Sequence, residues 1–123
     1  MGFSAKFRDQ AVGMLMPMRP VMARSMFGGC GLFLDGIMLG LIVDRTLYLK
    51  VDAGNLARFE AEGCAPFSYE TEDGRNVVMS YREAPVHAMM NPDELCAWAE
   101  NALAAARRSH TKTSKRIRPA PER

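Results

Sequence analysis

Paired cysteines, clustered histidines and uninterrupted apolar runs are all missing from this chain of 123 residues. Its three cysteines, Cys30, Cys64 and Cys96, form no CxxC pair, and the histidines, His87 and His110, do not group with them. The short paired spacing of a zinc site is absent, so no metal is expected. An odd cysteine count without a secretory signal argues against a disulfide framework and for a reducing cytosol. Thiol catalysis needs a nearby base, and His87 falls in a loop after Pro85, so buried structural thiols are the expected outcome. The carboxylates are scattered and no Ser-His-Asp order stands out, so no catalytic residue and no cofactor is assigned. The longest apolar stretch, Met26–Val43, holds five glycines and has Asp35-Gly36 at its middle. A central charge is costly in lipid while Asp-Gly favours a hairpin turn, so no membrane span is expected.

What remains is ordinary globular material. Hydrophobic residues make up 48% and charged residues 24% of the chain, which excludes wholesale disorder, a collagen-like chain and a coiled coil. The length suits a single core. Charge is divided unevenly along it. Met1–Ala106 carry nine Lys/Arg against thirteen Asp/Glu, net −4, whereas Arg107–Arg123 carry seven against one, net +6. This division sets a mildly acidic domain, residues 1–106, apart from a basic tail, residues 107–123. The tail has a single large aliphatic residue, Ile117, and is read as disordered in isolation because it has little apolar surface to offset its ordering entropy.

Within the domain, Ile37, Leu39, Leu41 and Val43 alternate onto one face, as do Leu47, Leu49 and Val51 after a break at Asp44-Arg45. With the strand before Asp35-Gly36 they form a three-stranded antiparallel meander. Phe67, Tyr69 and Thr71 alternate with polar residues, and Asp73-Gly74 turns the chain into Val77, Met79 and Tyr81. A first helix is expected over Ser4–Met16 with Ser4 as its cap and Pro17 as its stop. A second is expected over Ala53–Glu62, capped by Asp52 and ended by Gly63. The third opens on Asn91 and Pro92 with Glu94 completing a capping box, and buries Leu95, Trp98, Ala99, Ala102, Leu103 and Ala106. The order α-β-β-β-α-β-β-α gives an α+β class: a five-stranded antiparallel sheet with helices on one face and the other face solvated or covered by a partner.

Two local features invite functional readings. Gly28-Gly29-Cys30-Gly31 satisfies neither GxGxxG nor the P-loop pattern and no Lys follows it, so a bulge or close backbone approach is favoured over phosphate binding. Ten methionines are many for this length, and Met14, Met16, Met18, Met22 and Met26 crowd the first helix and the segment after it. Core filling is the expected use, with an adaptable binding surface as the competing one.

Residues spread along the chain carry a resemblance. Arg24-Ser25-Met26-Phe27-Gly28-Gly29, Gly31-Leu32-Phe33, Tyr48-Leu49-Lys50, the Phe59 helix, Pro66-Phe67-Ser68-Tyr69, Met79-Ser80-Tyr81 and the closing Asn91-Pro92 helix with Trp98 resemble the TfoX/Sxy N-terminal domain family. The resemblance covers about Phe3–Arg108. It implies a small α+β domain of secretion-chaperone-like topology, and a role among bacterial regulators of natural competence that work with the cyclic-AMP receptor protein and have no established enzymatic activity. Named members carry a second, C-terminal domain, in whose place this chain has its basic tail. Met26, Phe27, Gly28, Gly29, Tyr48, Lys50, Phe67, Tyr69, Tyr81 and Trp98 are the motif residues, structural or partner-binding.

The tail supplies a separate candidate. Arg107, Arg108, Lys112, Lys115, Arg116 and Arg118 would neutralise phosphates along a nucleic-acid backbone without reading sequence, and no aromatic interleaves to stack on bases. A solvated end, or a cap on the negative end of the third helix dipole, explains the same charges. The expectation is a cytoplasmic, non-enzymatic regulatory or adaptor domain. It contacts a protein partner in transcriptional control, the tail adds nonspecific DNA contact, and a sheet edge or the uncovered face is open to a second copy. The alternative is a small-molecule-binding or thiol-dependent protein with a pocket beside the glycine-rich hairpin.

Overall fold

A computed structural model describes residues 2–18, 20–26 and 28–117, with the backbone alone for 112–117. Ser4 opens the first helix, α1 (Ala5–Met14), with its hydroxyl accepting from the Phe7 amide at 3.1 Å. Four strands follow as successive hairpins: β1 (Met22–Met26), β2 (Gly29–Leu34), β3 (Ile37–Val43) and β4 (Thr46–Lys50). After α2 (Leu56–Ala61) come β5 (Pro66–Glu70) and β6 (Asn76–Glu83), then a 3-10 turn at Val86–Met90 and the long α3 (Pro92–Ile117). All strand pairings are antiparallel and form one sheet in the order β1-β2-β3-β4-β6-β5. The α+β class and the helices on one face are as the sequence implied.

The sheet has six strands rather than five, because β1 gives no sequence signal. Met22-Ala23-Arg24-Ser25 are all exposed on this edge strand, so no face of it is buried and no alternation of apolar residues marks it. A second correction concerns β3. Leu32 pairs with Gly40 but Phe33 with Met38, so Leu39 is an extra residue in the ladder. This bulge breaks the period of two. Leu39 and Ile42 join the helix-side core, while Leu41 and Val43 fall on the opposite face.

The helix-side core gathers Leu32, Leu34, Leu39, Ile42, Leu47 and Leu49 from the sheet against Ala11 and Leu15 of the α1 region and Leu95, Ala99, Ala102 and Leu103 of α3. Alanines along α3 let it approach the sheet closely. Asn91 caps that helix, its Oδ1 accepting from the Asp93 and Glu94 amides at 2.9 and 3.2 Å. The expected capping box is not closed, since the Glu94 carboxylate engages His87 instead. Around α2, the Asp52 amide donates to Asn55 Oδ1 and the Asn55 side-chain nitrogen donates to the Lys50 carbonyl, so the helix starts at Leu56 rather than Ala53. Gly63 ends that turn with φ 73°. The segment 107–117, set apart in the sequence as part of the tail, continues α3 without a break; residues 118–123 lie outside the described residues.

Candidate functional site

The face of the sheet turned away from the helices carries its own apolar cluster of Leu41, Val43, Phe67 and Tyr81, with Met38 and Tyr48 packed beside them. Aromatic contacts hold it together. The Tyr48 and Phe67 rings lie 4.9 Å apart, and Tyr69 lies 6.2 Å from Phe67 on the same strand. Burial pushes the Tyr81 phenol up from its ordinary range, and burial followed by the Glu83 and Asp44 charges does the same for Tyr48. Both rings therefore stay neutral through the physiological range.

Beside this cluster opens a cleft of about 330 Å³. Met26 of β1, Gly29 of β2, and Met38, Leu41 and Val43 of β3 line one side of it. Phe67, Tyr69 and Met79 of the β5–β6 hairpin line the other, so strands from both ends of the sheet meet around one hollow and the sheet is curled. Glycine makes the space. A Cβ on Gly29 would come within 2.8 Å of the Ile42 carbonyl oxygen, and one on Gly31 within 2.7 and 3.0 Å of the Met26 and Met38 sulfurs. Alternate positions 29 and 31 thus present backbone to this face while Cys30, between them, turns into the helix-side core. Gly28, with φ 78°, completes the turn that returns β1 to β2. The close backbone approach expected of the glycine run is present, and it shapes a cleft floor.

Most of the described motif residues come together here. Met26, Gly29, Phe67 and Tyr69 line the cleft, and Tyr48 and Tyr81 support it. Lys50 lies over Tyr81, its Nζ 5.2 Å from the ring centroid and donating to Ser80 Oγ at 2.6 Å; burial lowers its pKa, with Asp52 opposing. Trp98 is on the other side of the molecule, edge-on to Phe59 at 4.9 Å with Arg58 over it. Phe27 lies outside the described residues. The cleft also uses Met38, Leu41, Val43 and Met79, which were not singled out as site residues. The β3 bulge concealed the common face of Met38, Leu41 and Val43. The alternation of Gly29 and Gly31 across from β3 was the signal that marked it.

The sequence profile of the TfoX N-terminal domain family matches residues 13–106. The chain belongs to that family. A 46-residue stretch is also 46% identical to DNA transformation protein TfoX1 of Aliivibrio fischeri (strain ATCC 700601 / ES114), covering 37% of this chain and 22% of that relative. Every cleft-lining residue falls inside the matched TfoX N-terminal region.

The other candidates in this TfoX-type domain fare differently. Burial is the first cause pushing the Cys30, Cys64 and Cys96 thiols up, which disfavours the thiolate a nucleophile requires. His87 is far from acting as their base: its Nδ1 and Nε2 each lie 3.0 Å from a carboxylate oxygen, of Glu94 and Glu62 respectively. Those hydrogen bonds raise its pKa. Of the tail cations, Arg108 makes a two-pronged contact with Asp52, at 2.6 and 2.8 Å, and Arg107 lies 3.6 Å from Asp35. Both are committed to the domain. The side chains of Lys112, Lys115 and Arg116, and the whole of Arg118, lie outside the described residues. Among the described residues no helix is long and apolar enough to cross a membrane.

Proposed function

We propose that this domain is a non-catalytic binding module of a competence-type regulatory system, acting in transcriptional control by holding a protein partner on the open face of its sheet. The observation that carries the reading is the apolar cleft between Met26 and Met38 on one side and Phe67, Tyr69 and Met79 on the other. Methionine and aromatic residues are the types enriched at the centres of protein interfaces, and methionine adapts its shape to what it meets. Family membership supports the regulatory setting. The cytoplasm is the compartment that fits such a role, and the paired state of Arg107 and Arg108 leaves any DNA contact by the tail to the residues beyond them.

The test is recovery from native cell extract on the full chain and on Met79→Glu, with and without nuclease and at two salt concentrations. A protein partner that survives nuclease and is lost with Met79→Glu is the expected result. Recovery that needs nucleic acid, vanishes at higher salt and ignores Met79→Glu would contradict the reading and favour a tail-led DNA association.

A second reading is favoured by the cleft's size. A hollow of about 330 Å³ is at the lower end of the range of small-molecule pockets, and it lies beside the glycine-rich hairpin. The thiol version of that reading has no support, since Cys30 faces away from the cleft.

A further inference from the structure

The open face carries few charges, Arg24, Lys50 and, across from Tyr48, Glu83, and its two cations are not equally engaged. Lys50 spends a donor on Ser80 and covers Tyr81. Arg24 is different. It lies on β1 two residues before Met26, so the two side chains share a face, and its cross-strand partner is Gly31, over whose backbone the Met26 and Met38 sulfurs and the Phe33 ring pack. Its guanidinium carbon lies 5.5 Å from the Phe33 ring centroid, and no carboxylate of the described residues pairs with it. Gly31 in turn pairs with Leu41, a cleft-lining residue. One row across the sheet therefore runs from a guanidinium with no carboxylate partner among the described residues, over Gly31 with the cleft methionines Met26 and Met38 packed on it, to the apolar wall of the cleft.

We infer that the cleft binds a small molecule with an apolar body and a single anionic group, the body lying among Met26, Met38 and Met79 and the anion on Arg24. This deepens the small-molecule reading of the cleft and rests on the cleft being a binding site. The volume fits one compact apolar body and is too small for a protein helix, about 10 Å across with its side chains. The lining offers no charge to such a body, and a guanidinium offers a planar fork of donors suited to a carboxylate or sulfonate. Stacking on Phe33 holds that fork at the margin at little entropic expense.

The probes are 1-anilinonaphthalene-8-sulfonate and its uncharged analogue N-phenyl-1-naphthylamine, titrated by fluorescence against the full chain, Arg24→Gln and Met79→Trp. Both dyes should bind saturably, with the sulfonate about fivefold tighter. Arg24→Gln should remove that advantage and leave the neutral dye unchanged, and Met79→Trp should weaken both by filling the cleft. Equal affinity for the two dyes, or equal loss of both with Arg24→Gln, would overturn the anion assignment while leaving the cleft standing. Saturable binding untouched by Met79→Trp, or no saturable binding at all, would overturn the cleft itself. Arg24 is exposed, so its variant keeps the fold, and a thermal unfolding curve alongside each titration checks this.

Discussion

The two faces of one sheet are built from the same strands yet from different kinds of side chain. The helix-covered face is mainly Leu, Val, Ile and Ala with Phe59, closed to solvent and pressed under α3, with Met14, Met18 and Met89 packed only at its edge. The open face is Met and aromatic residues around a hollow, several of them part-exposed; Met79 keeps 37% of its surface accessible and Tyr69 38%. Alternation along the strands separates the two, and the β3 bulge decides which residues go where. Packed aliphatic residues stabilise a single structure, whereas flexible thioethers around a void can accommodate something else.

That comparison is broken most easily by equalising the two faces. Phe59→Ala, on the helix side, should cost about 3–5 kcal/mol in urea unfolding, because a fully buried ring and its edge contact with Trp98 are lost. Gly29→Val, under the cleft, should cost about 2 kcal/mol, since the new side chain meets the Ile42 carbonyl rather than a movable group. Arg108→Ala should lower stability only slightly, because water screens the exposed guanidinium even though its contact with Asp52 is bidentate. Met79→Glu should change stability by less than about 0.5 kcal/mol while abolishing partner recovery, which would separate function from folding. Open-face substitutions as costly as Phe59→Ala would mean that the open face is a second core.

Acidity sharpens the contrast, because the charged ties that hold the helix layer down titrate. His87 joins Glu62, just after α2, to Glu94 in the first turn of α3, and both contacts raise its pKa above the ordinary 6.5. A folded-state pKa above the unfolded one means this contribution is complete below pH 6.5 and fades as pH rises through the folded value. Asp52 behaves oppositely: its hydrogen bond from Arg108 holds its pKa below 3.8, so its contribution is present above that value and is lost as pH falls through the folded one. Unfolding measured between pH 5 and 8 should show a small decline that His87→Gln removes, with Met79→Glu leaving it in place.

Much of this architecture was legible in the residues. Ser4, Asn91 and Pro92 mark helix starts through capping chemistry, and Asp35-Gly36 places a hairpin whose two turn residues both have positive φ. β1 was not legible, because an edge strand with no buried face has no periodicity to display. The cleft was legible only in part. Its aromatic residues belonged to the family motif, but the bulge at Leu39 moved Leu41 and Val43 to the face opposite Leu39, and a one-residue ladder shift has no composition signature. Arg108's commitment to Asp52 spans 56 residues of sequence and could not be read from the tail's charge alone.

The methionines allow the two faces to be compared in one experiment. With methyl-labelled methionine, the full chain would be titrated with N-phenyl-1-naphthylamine and followed by methyl NMR. The cleft methyls of Met26, Met38 and Met79 should shift saturably, while Met14, Met18 and Met89, packed on the helix-side core, should stay in place. Shifts confined to the helix-side methionines, or spread evenly over both sets, would contradict the assignment of the open face as the binding surface of this domain.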